Sequence, residues 1–407
     1  MAAREKKDCG KAGWLRMMAA AAALGLVCTA FSAGAVFAEQ TAVWAAADTA
    51  QTAALEIPAK SCILVDSAGN VLYEDNADEQ MPPASITKIM TLLLTFEALE
   101  AGTLSLDQTV SCSEYAASMG GTQIWLEPGE EMVLSDIIKA CAVNSANDCA
   151  MVLAETVSGS ESAFVARMNE RAAELGMTGT HFENPTGLDA EGHVSTARDI
   201  AIMSAELLRH KGVTDYTTIW MDSLRGGETG LVNTNKLVRY YTGCTGLKTG
   251  TTDGAGSCLS ASATRDGVSL IAVSMGSATS KERFAACRTL LDYGFASFEN
   301  FTPEIPTENL APVKVLGGQA ETVTPAVTMP ESVLIPKGKS GEVQMELQLS
   351  ESLTAPVTAG DPIGQATFTL DGKTLCTAQL TADADIGKID FRFALHRMWE
   401  LLTSAPF

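Results

Sequence analysis

The sequence predicts an α+β fold for most of the chain, then a smaller all-β domain and a terminal amphipathic helix. Three observations carry this. Strand-like runs near residue 60 precede helical patterns that continue to about Lys211. An antiparallel meander from about Cys244 then closes with a helix, so early and late strands can share one sheet with helices packed on it. After about Asn300 prolines recur and helical periodicity gives way to short alternating runs. At 407 residues the chain is too long for one ordinary domain, which fits this division.

Taken in order, Arg4, Lys6, Lys7, Lys11 and Arg16 precede an uncharged run from Met17 to Ala38 that ends in "GAVFA". Basic residues, an apolar stretch and small residues at the cleavage positions read as a secretory signal peptide over 1–38. An uncleaved membrane anchor and a lipidated Cys28 are the competing readings. An Ala/Thr-rich linker is expected over 39–56. "SCILVDSAGNVLYEDN" reads as two strands joined by a turn at Ser67-Ala68-Gly69-Asn70. "LSDIIKACAVNSANDCAMVLAETVSG" reads as two helices with a polar break at Asn144–Asn147. "SESAFVARMNERAAELG" and "STARDIAIMSAELLRH" are further helices. "CTGLKTGTT", "SCLSASAT" and "VSLIAVSMG" are strands separated by "DGAG" and Arg265-Asp266-Gly267, and "SKERFAACRTLLDYGFASF" closes the block. A catalytic-sized domain is thus expected over 57–300 and a β-rich domain over 301–385. In the tail, 386–407, Phe391, Leu395, Met398 and Leu402 form one helical stripe, while Arg392, His396, Arg397 and Glu400 sit largely off it.

Charge and cysteine content narrow the function. The chain carries −21, and removing a leader of net charge +3 leaves about −24, which argues against a nucleic-acid partner. A site for an anionic ligand must therefore be locally basic. Eight of the ten cysteines lie beyond the leader, and none has metal-binding spacing, so no metal or cofactor is expected. They read as small buried hydrophobes, with one or two bridges permitted by export.

Chemistry concentrates at "MPPASITKIMTLLLTFEALE". Pro82 and Pro83 favour an extended approach to a helix starting beside Ser85, and Ser85 and Lys88, three residues apart at the start of that apolar helix, share a face. A serine hydroxyl needs a base to become a nucleophile, and a desolvated lysine is such a base. S-x-x-K alone arises by chance about once in a chain of this length, and on this motif alone Ser as helix cap with Lys reaching solvent is the better account. Two further motifs change the balance. Ser145-Ala146-Asn147 is S-x-N at the break between helices, and Lys248-Thr249-Gly250 is K-T-G on a strand, where Gly permits close approach. Lys339-Ser340-Gly341 also fits the third pattern but reads as a surface turn in the later domain.

The order S-x-x-K, S-x-N, K-T-G is that of the penicillin-recognising serine acyl enzymes. More closely, "PASITKIMT", "NSANDCA", "FENPTGLDAEGHVSTARDIA", "GLKTGTTDGAGSCLSASATRDG" and "AVSMGSATSKERF" resemble the D-alanyl-D-alanine carboxypeptidases, low-molecular-mass penicillin-binding proteins of serine peptidase type. The resemblance implies a β-lactamase/DD-peptidase-like transpeptidase fold with a β-rich C-terminal domain. It implies removal of the terminal D-alanine from peptidoglycan stem pentapeptides and covalent inhibition by β-lactams. It also implies a place on the outer face of the cytoplasmic membrane or in the cell-wall space, reached by export and held by the tail helix. By resemblance Ser85 is the nucleophile, Lys88 the acylation base and Ser145 a proton relay. Asn147 holds the substrate and orients Lys88; Lys248, Thr249, Gly250, Thr251 and Arg283 form the rest of the binding site, with the Ser85 and Thr251 N–H groups as oxyanion donors. Lys281 and Arg288 are alternatives to Arg283 for the terminal carboxylate. A β-lactamase is a rival, but no E-x-x-L-N lies between the second and third motifs. A DD-endopeptidase and a non-catalytic wall-binding or penicillin-sensing protein are the others. His181, His193, His210 and His396 lie away from the Ser85 motif, which disfavours a Ser-His-Asp triad; His193, Glu183 and Asp189 read as loop structure.

Overall fold

A computed structural model describes residues 55–306, 310–330 and 332–403. The expected signal peptide and all but the end of the linker lie outside the described residues. The main sheet is built from β1 (Ser61–Asp66), β2 (Val71–Asp75), β3 (Cys244–Thr252), β4 (Gly256–Arg265) and β5 (Val268–Ser277), in the order β2-β1-β5-β4-β3. All pairings are antiparallel, and β1 meets β5 with Ile63 opposite Val273. The N-terminal hairpin and the late meander therefore share one sheet, as the strand pattern predicts. The hairpin turn is closed by Asp66, whose carboxylate accepts from the Ala68 and Asn70 N–H groups at 2.9 and 2.8 Å.

The principal helices are α1 (Lys88–Glu100), α2 (Leu134–Val143), α3 (Asn147–Ser158), α4 (Glu161–Glu174), α5 (Ala197–Arg209), α6 (Ser280–Ser297) and α7 (Phe391–Thr403). The sheet's two faces differ in chemistry because strand side chains alternate. Leu259 and Ala261 of β4 join Leu64 and Leu270 against Leu290 and Leu291 of α6. The intervening Ser260 points the other way and meets Ser204 of α5 through a buried hydroxyl pair at 2.8 Å. Helix α1 is buried without interruption from Lys88 to Phe96, which places its N-terminus inside the helical layer and not at a solvated edge.

The chain continues into β6 (Phe298–Phe301), β7 (Val313–Leu316), β8 (Thr322–Val323), β9 (Pro325–Thr328), β10 (Val333–Pro336), β11 (Gln344–Leu349), β12 (Ser352–Thr354), β13 (Pro362–Leu370) and β14 (Lys373–Ala382). They form a sheet ordered β9-β14-β13-β11, a smaller one ordered β8-β7-β12, and the pair β6-β10. Val313, Val315, Ile363 and Leu380 fill the core of this region. Lys339-Ser340-Gly341 lies in a turn here, away from the other motifs. None of the residues of α7 is buried. No helix among the described residues is long and apolar enough to cross a membrane. The eight cysteines among the described residues are free thiols, and six are buried.

Close approach of α6 to the sheet depends on Gly294. A Cβ there would stand 2.5 Å from Leu270 Cδ1 and 3.1 Å from Leu64 Cδ2, both on buried side chains. Gly294→Val is therefore expected to cost about 1–3 kcal/mol by overpacking. Thermal unfolding should show a lowered Tm; an unchanged Tm would mean that helix and sheet are not packed this tightly.

Candidate active site

The chain reaches Ser85 through a sharp bend. Pro83 sits in the right-handed helical region (φ −82°, ψ −11°), a correction to the extended approach that the proline pair suggests. The bend falls on Ala84, whose φ is +50°. A short 3-10 turn over Ala84–Thr87 then runs into α1, so Ser85 precedes the regular helix and Lys88 begins it. The Ser85 hydroxyl makes no cap to a backbone N–H; it meets Lys88 Nζ at 3.0 Å.

Lys88 is fully buried. Its Nζ also lies 2.6 Å from Asn147 Oδ1 and 2.6 Å from the Thr186 carbonyl. Both of these oxygens can only accept. An uncharged amine has two N–H bonds and one lone pair, so donation to the two acceptors leaves the lone pair facing the one partner able to donate, the Ser85 hydroxyl. Desolvation favours this neutral form and pulls the Lys88 pKa down to about 8, although Cys141 and Asp148 oppose it.

Each contact has a local cause. Asn147 opens α3 just after the strained turn at Ser145 (φ +65°). Its side chain is fixed by Nδ2 donating to Gly120 O at 2.6 Å, and its N–H donates to Thr122 O at 2.7 Å. The Ser145 side chain is almost buried, yet its hydroxyl makes no hydrogen bond among the described residues. The Thr186 carbonyl is presented by a turn folded around Asn184, whose Oδ1 accepts from the Thr186 and Gly187 N–H groups at 3.1 and 2.7 Å. Gly187 (φ +80°) packs against the Ser85 bend so closely that a Cβ would lie 1.9 Å from Ala84 O.

Strand β3 closes the other side. A Cβ on Gly250 would lie 2.9 Å from both Pro83 O and Ala84 Cβ, and 3.0 Å from Ser85 N, so only glycine lets the strand pass alongside the serine. Lys248 is buried, donates to Thr249 O at 3.0 Å, and is held well below the ordinary lysine pKa by desolvation and by Lys88. Thr249 pairs its hydroxyl with that of Thr234 at 2.7 Å. Thr251 is exposed. Arg283 of α6 lies beneath the strand, with Nη1 donating to Gly250 O at 2.8 Å and to Thr251 Oγ1 at 2.7 Å. Burial lowers its pKa, and its Nε has no partner. Of the alternatives to Arg283, Lys281 is exposed and Arg288 stands over Tyr241. All three motifs thus converge on the Ser85 bend. The Thr186 carbonyl, Gly187, Thr234 and Gly120 were not singled out by motif; "NPTG", a turn signal, was the available hint.

His193 occupies a supporting position. It is buried; Nδ1 accepts from Glu183 N–H at 2.9 Å, and Nε2 lies 2.8 Å from Thr87 Oγ1. Thr87 in turn donates to Ala84 O at 2.8 Å. The ring therefore carries its proton on Nε2 and ties the Glu183 loop to the bend that sets Ser85.

Residues 46–279 match the family model described as D-alanyl-D-alanine carboxypeptidase, and residues 298–388 match that of the penicillin-binding protein 5 C-terminal domain. The D-alanyl-D-alanine carboxypeptidase DacF of Bacillus subtilis is 41% identical over 355 residues, 86% of this chain and 91% of that one. A crystal structure of penicillin-binding protein 5 from Haemophilus influenzae superposes with a TM-score of 0.73 at 32% identity, covering 83% of this chain and 100% of the other. Penicillin-binding protein D2 from Listeria monocytogenes in its ampicillin-bound form superposes at 0.53 with 32% identity, over 60% of this chain and 100% of that one.

Burial lowers the His193 pKa from 6.5 to about 4, against the opposing influence of Glu183 and Asp189 and with His181 adding to the shift. The unfolded chain then binds the extra proton between these values, so stability falls as pH drops from 6.5 to 4 and the loss levels off below that. The full loss from this group is at most about 3 kcal/mol. His193→Asn should flatten this acid limb when Tm is followed from pH 7 to pH 4; an unaltered limb would assign it to other groups.

Proposed function

The chain belongs to the D-alanyl-D-alanine carboxypeptidase family, and on that footing we propose that Ser85 is the nucleophile through which it removes the terminal D-alanine of a peptidoglycan stem pentapeptide. It is a serine-type carboxypeptidase; the finer assignment of residues rests on one observation above all, the three-cornered contact of Lys88 Nζ with Ser85, Asn147 and Thr186.

Lys88 takes the Ser85 Oγ proton as Oγ attacks the carbonyl carbon of the penultimate D-alanine. With a pKa near 8, about one molecule in ten holds a neutral Lys88 at pH 7, enough for a base of this strength to act. The oxyanion forms against the Ser85 and Thr251 N–H groups, which the close passage of Gly250 supports. The proton on Lys88 passes through the unengaged Ser145 hydroxyl to the departing amine; the C–N bond breaks and D-alanine leaves. Water then attacks the acyl ester, giving up its proton to the regenerated amine, and Ser85 is restored. The terminal carboxylate lies along β3 toward Thr249 and Thr251, with Thr234 at hand. Buried Lys248 on the strand itself and buried Arg283 beneath it supply positive potential. The same reactive serine is the site for β-lactam acylation, a reading supported by the ampicillin-bound relative.

The leader-like N-terminus supports export to the cell-wall space. Helix α7 supports attachment to a membrane surface: Phe391, Leu395, Met398, Trp399 and Leu402 are all exposed.

Ser85→Ala should abolish the penicillin adduct in intact-mass measurement and reduce D-alanine release by at least about 10³-fold. Retained labelling would remove Ser85 from the reaction. In the parent protein, kcat/KM for the pentapeptide should rise with pH to a plateau, with an apparent pKa near 8 for Lys88. A profile flat from pH 6 to 10 would contradict a lysine base. Deleting residues 386–407 should remove co-sedimentation with phospholipid vesicles while leaving D-alanine release intact; undiminished sedimentation would place the membrane contact elsewhere.

A further inference from the structure

Before the tail helix, the most exposed large apolar side chain among the described residues is Trp125, at 74%. It is held in the open. Its φ is +60°, a conformation that a residue with a Cβ adopts only against steric cost. On either side of it, the Ile124 and Leu126 N–H groups donate to the fully buried Asp148 carboxylate, each at 3.1 Å. Arg225 donates to Ile124 O at 2.9 Å and is itself clamped by Glu130 at 2.7 and 2.9 Å. A buried carboxylate and a doubly bonded guanidinium thus fix the backbone that presents the indole. A ring fixed in this way has little freedom left to lose when a ligand covers it.

The same segment supports the reaction site. Gly120 and Thr122 lend their carbonyls to Asn147, which holds Lys88. Three residues of chain span at most roughly 10 Å, so Trp125 lies close to the site's edge. We propose that Trp125 is the platform of a saccharide subsite, stacking against the C–H face of an amino sugar of the glycan to which the stem peptide is attached. The proposal deepens the carboxypeptidase reading and rests on it. An aromatic face suits a pyranose ring, whose C–H groups meet the π-system while its hydroxyls remain in water. Neighbouring residues favour this occupant over a lipid surface: Gln123 is polar, and Glu127 and Glu131 would be repelled by anionic headgroups.

The test compares a disaccharide-linked pentapeptide with the same pentapeptide free of sugar. Trp125→Ala should lower kcat/KM on the sugar-linked substrate about ten-fold more than on the free peptide, chiefly through KM, and Trp125→Phe should recover most of the difference. Because the side chain is exposed, both variants should fold; the rate of Ser85 acylation by benzylpenicillin, which carries no sugar, checks the integrity of the site. Equal losses on both substrates would make Trp125 a structural residue and overturn the subsite, as would no loss on either. Protection from a soluble quencher, by anionic vesicles but not by the disaccharide, of the fluorescence that Trp125→Phe removes would also overturn it. If the parent protein releases no D-alanine from the sugar-free pentapeptide, the carboxypeptidase reading itself fails; if release proceeds and the substrate ratio stays unchanged by Trp125→Ala, only the subsite fails.

Discussion

The site depends on where one buried nitrogen keeps its lone pair. Lys88 is closed off from water, and its Nζ has three polar neighbours. Two of these can only accept, so they consume both N–H bonds of the neutral amine and leave its lone pair to Ser85. The arrangement selects a direction as well as a protonation state. Burial without the two acceptors would also depress the pKa, but the amine would have no reason to face the hydroxyl. Acceptors without burial would favour the ammonium form, which satisfies all three contacts by donating. The continuous apolar surroundings of α1 and the pair of fixed oxygens are therefore complementary requirements, and each comes from a different part of the chain.

The second constraint is steric. Segments about 100 and 165 residues downstream press on the same bend, through Gly187 and Gly250. A side chain at either position would meet Pro83, Ala84 or Ser85 backbone, which cannot swing aside as a flexible side-chain end can. Glycine here buys proximity: the Thr186 carbonyl reaches Lys88 because Gly187 lets its loop descend, and Thr251 follows Gly250 past the serine. His193 and Thr87 hold the bend from beneath, so that Ala84 keeps its positive φ while two neighbours crowd it.

Much of this was legible in the sequence, and the remainder has a common physical character. The three motifs give side chains, and side chains are what sequence names. Strand-like runs bounded by turn residues marked the five strands of the main sheet, and the polar break at Asn144–Asn147 marked the end of α2 and the start of α3. The partners that escaped are mostly backbone atoms or spaces: the carbonyls of Thr186, Gly120 and Thr122, and the missing Cβ atom of Gly187. Any residue type has a carbonyl, so no motif announces one. Pro83 departs from its extended expectation: it already has helical dihedrals where Gly187 and Gly250 pack against the bend, a tertiary contact that the proline pair does not encode. Arg283 could be singled out as a cation, but its position under β3, bonded to Gly250 O and Thr251 Oγ1, is a tertiary fact.

That position bears on how an acidic protein recognises an acid. The chain carries −21, so at distances beyond the Debye length of roughly 8 Å its field offers a carboxylate substrate no attraction. Attraction must arise at short range, and surface lysines would supply it poorly because water and salt screen them. Lys248, on β3 itself, and Arg283, reaching β3 from α6, are instead buried, while the same strand carries the Thr249 and Thr251 hydroxyls, with Thr251 the exposed one. Desolvation weakens the hold of each on its proton, and the cost of placing two such groups and Lys88 near one another falls on the empty site. On the proposed reading, a bound carboxylate would relieve that cost by compensating the buried positive charge. The burial that lowers the Lys88 pKa and the selectivity proposed for a free terminal carboxylate would then share one physical origin.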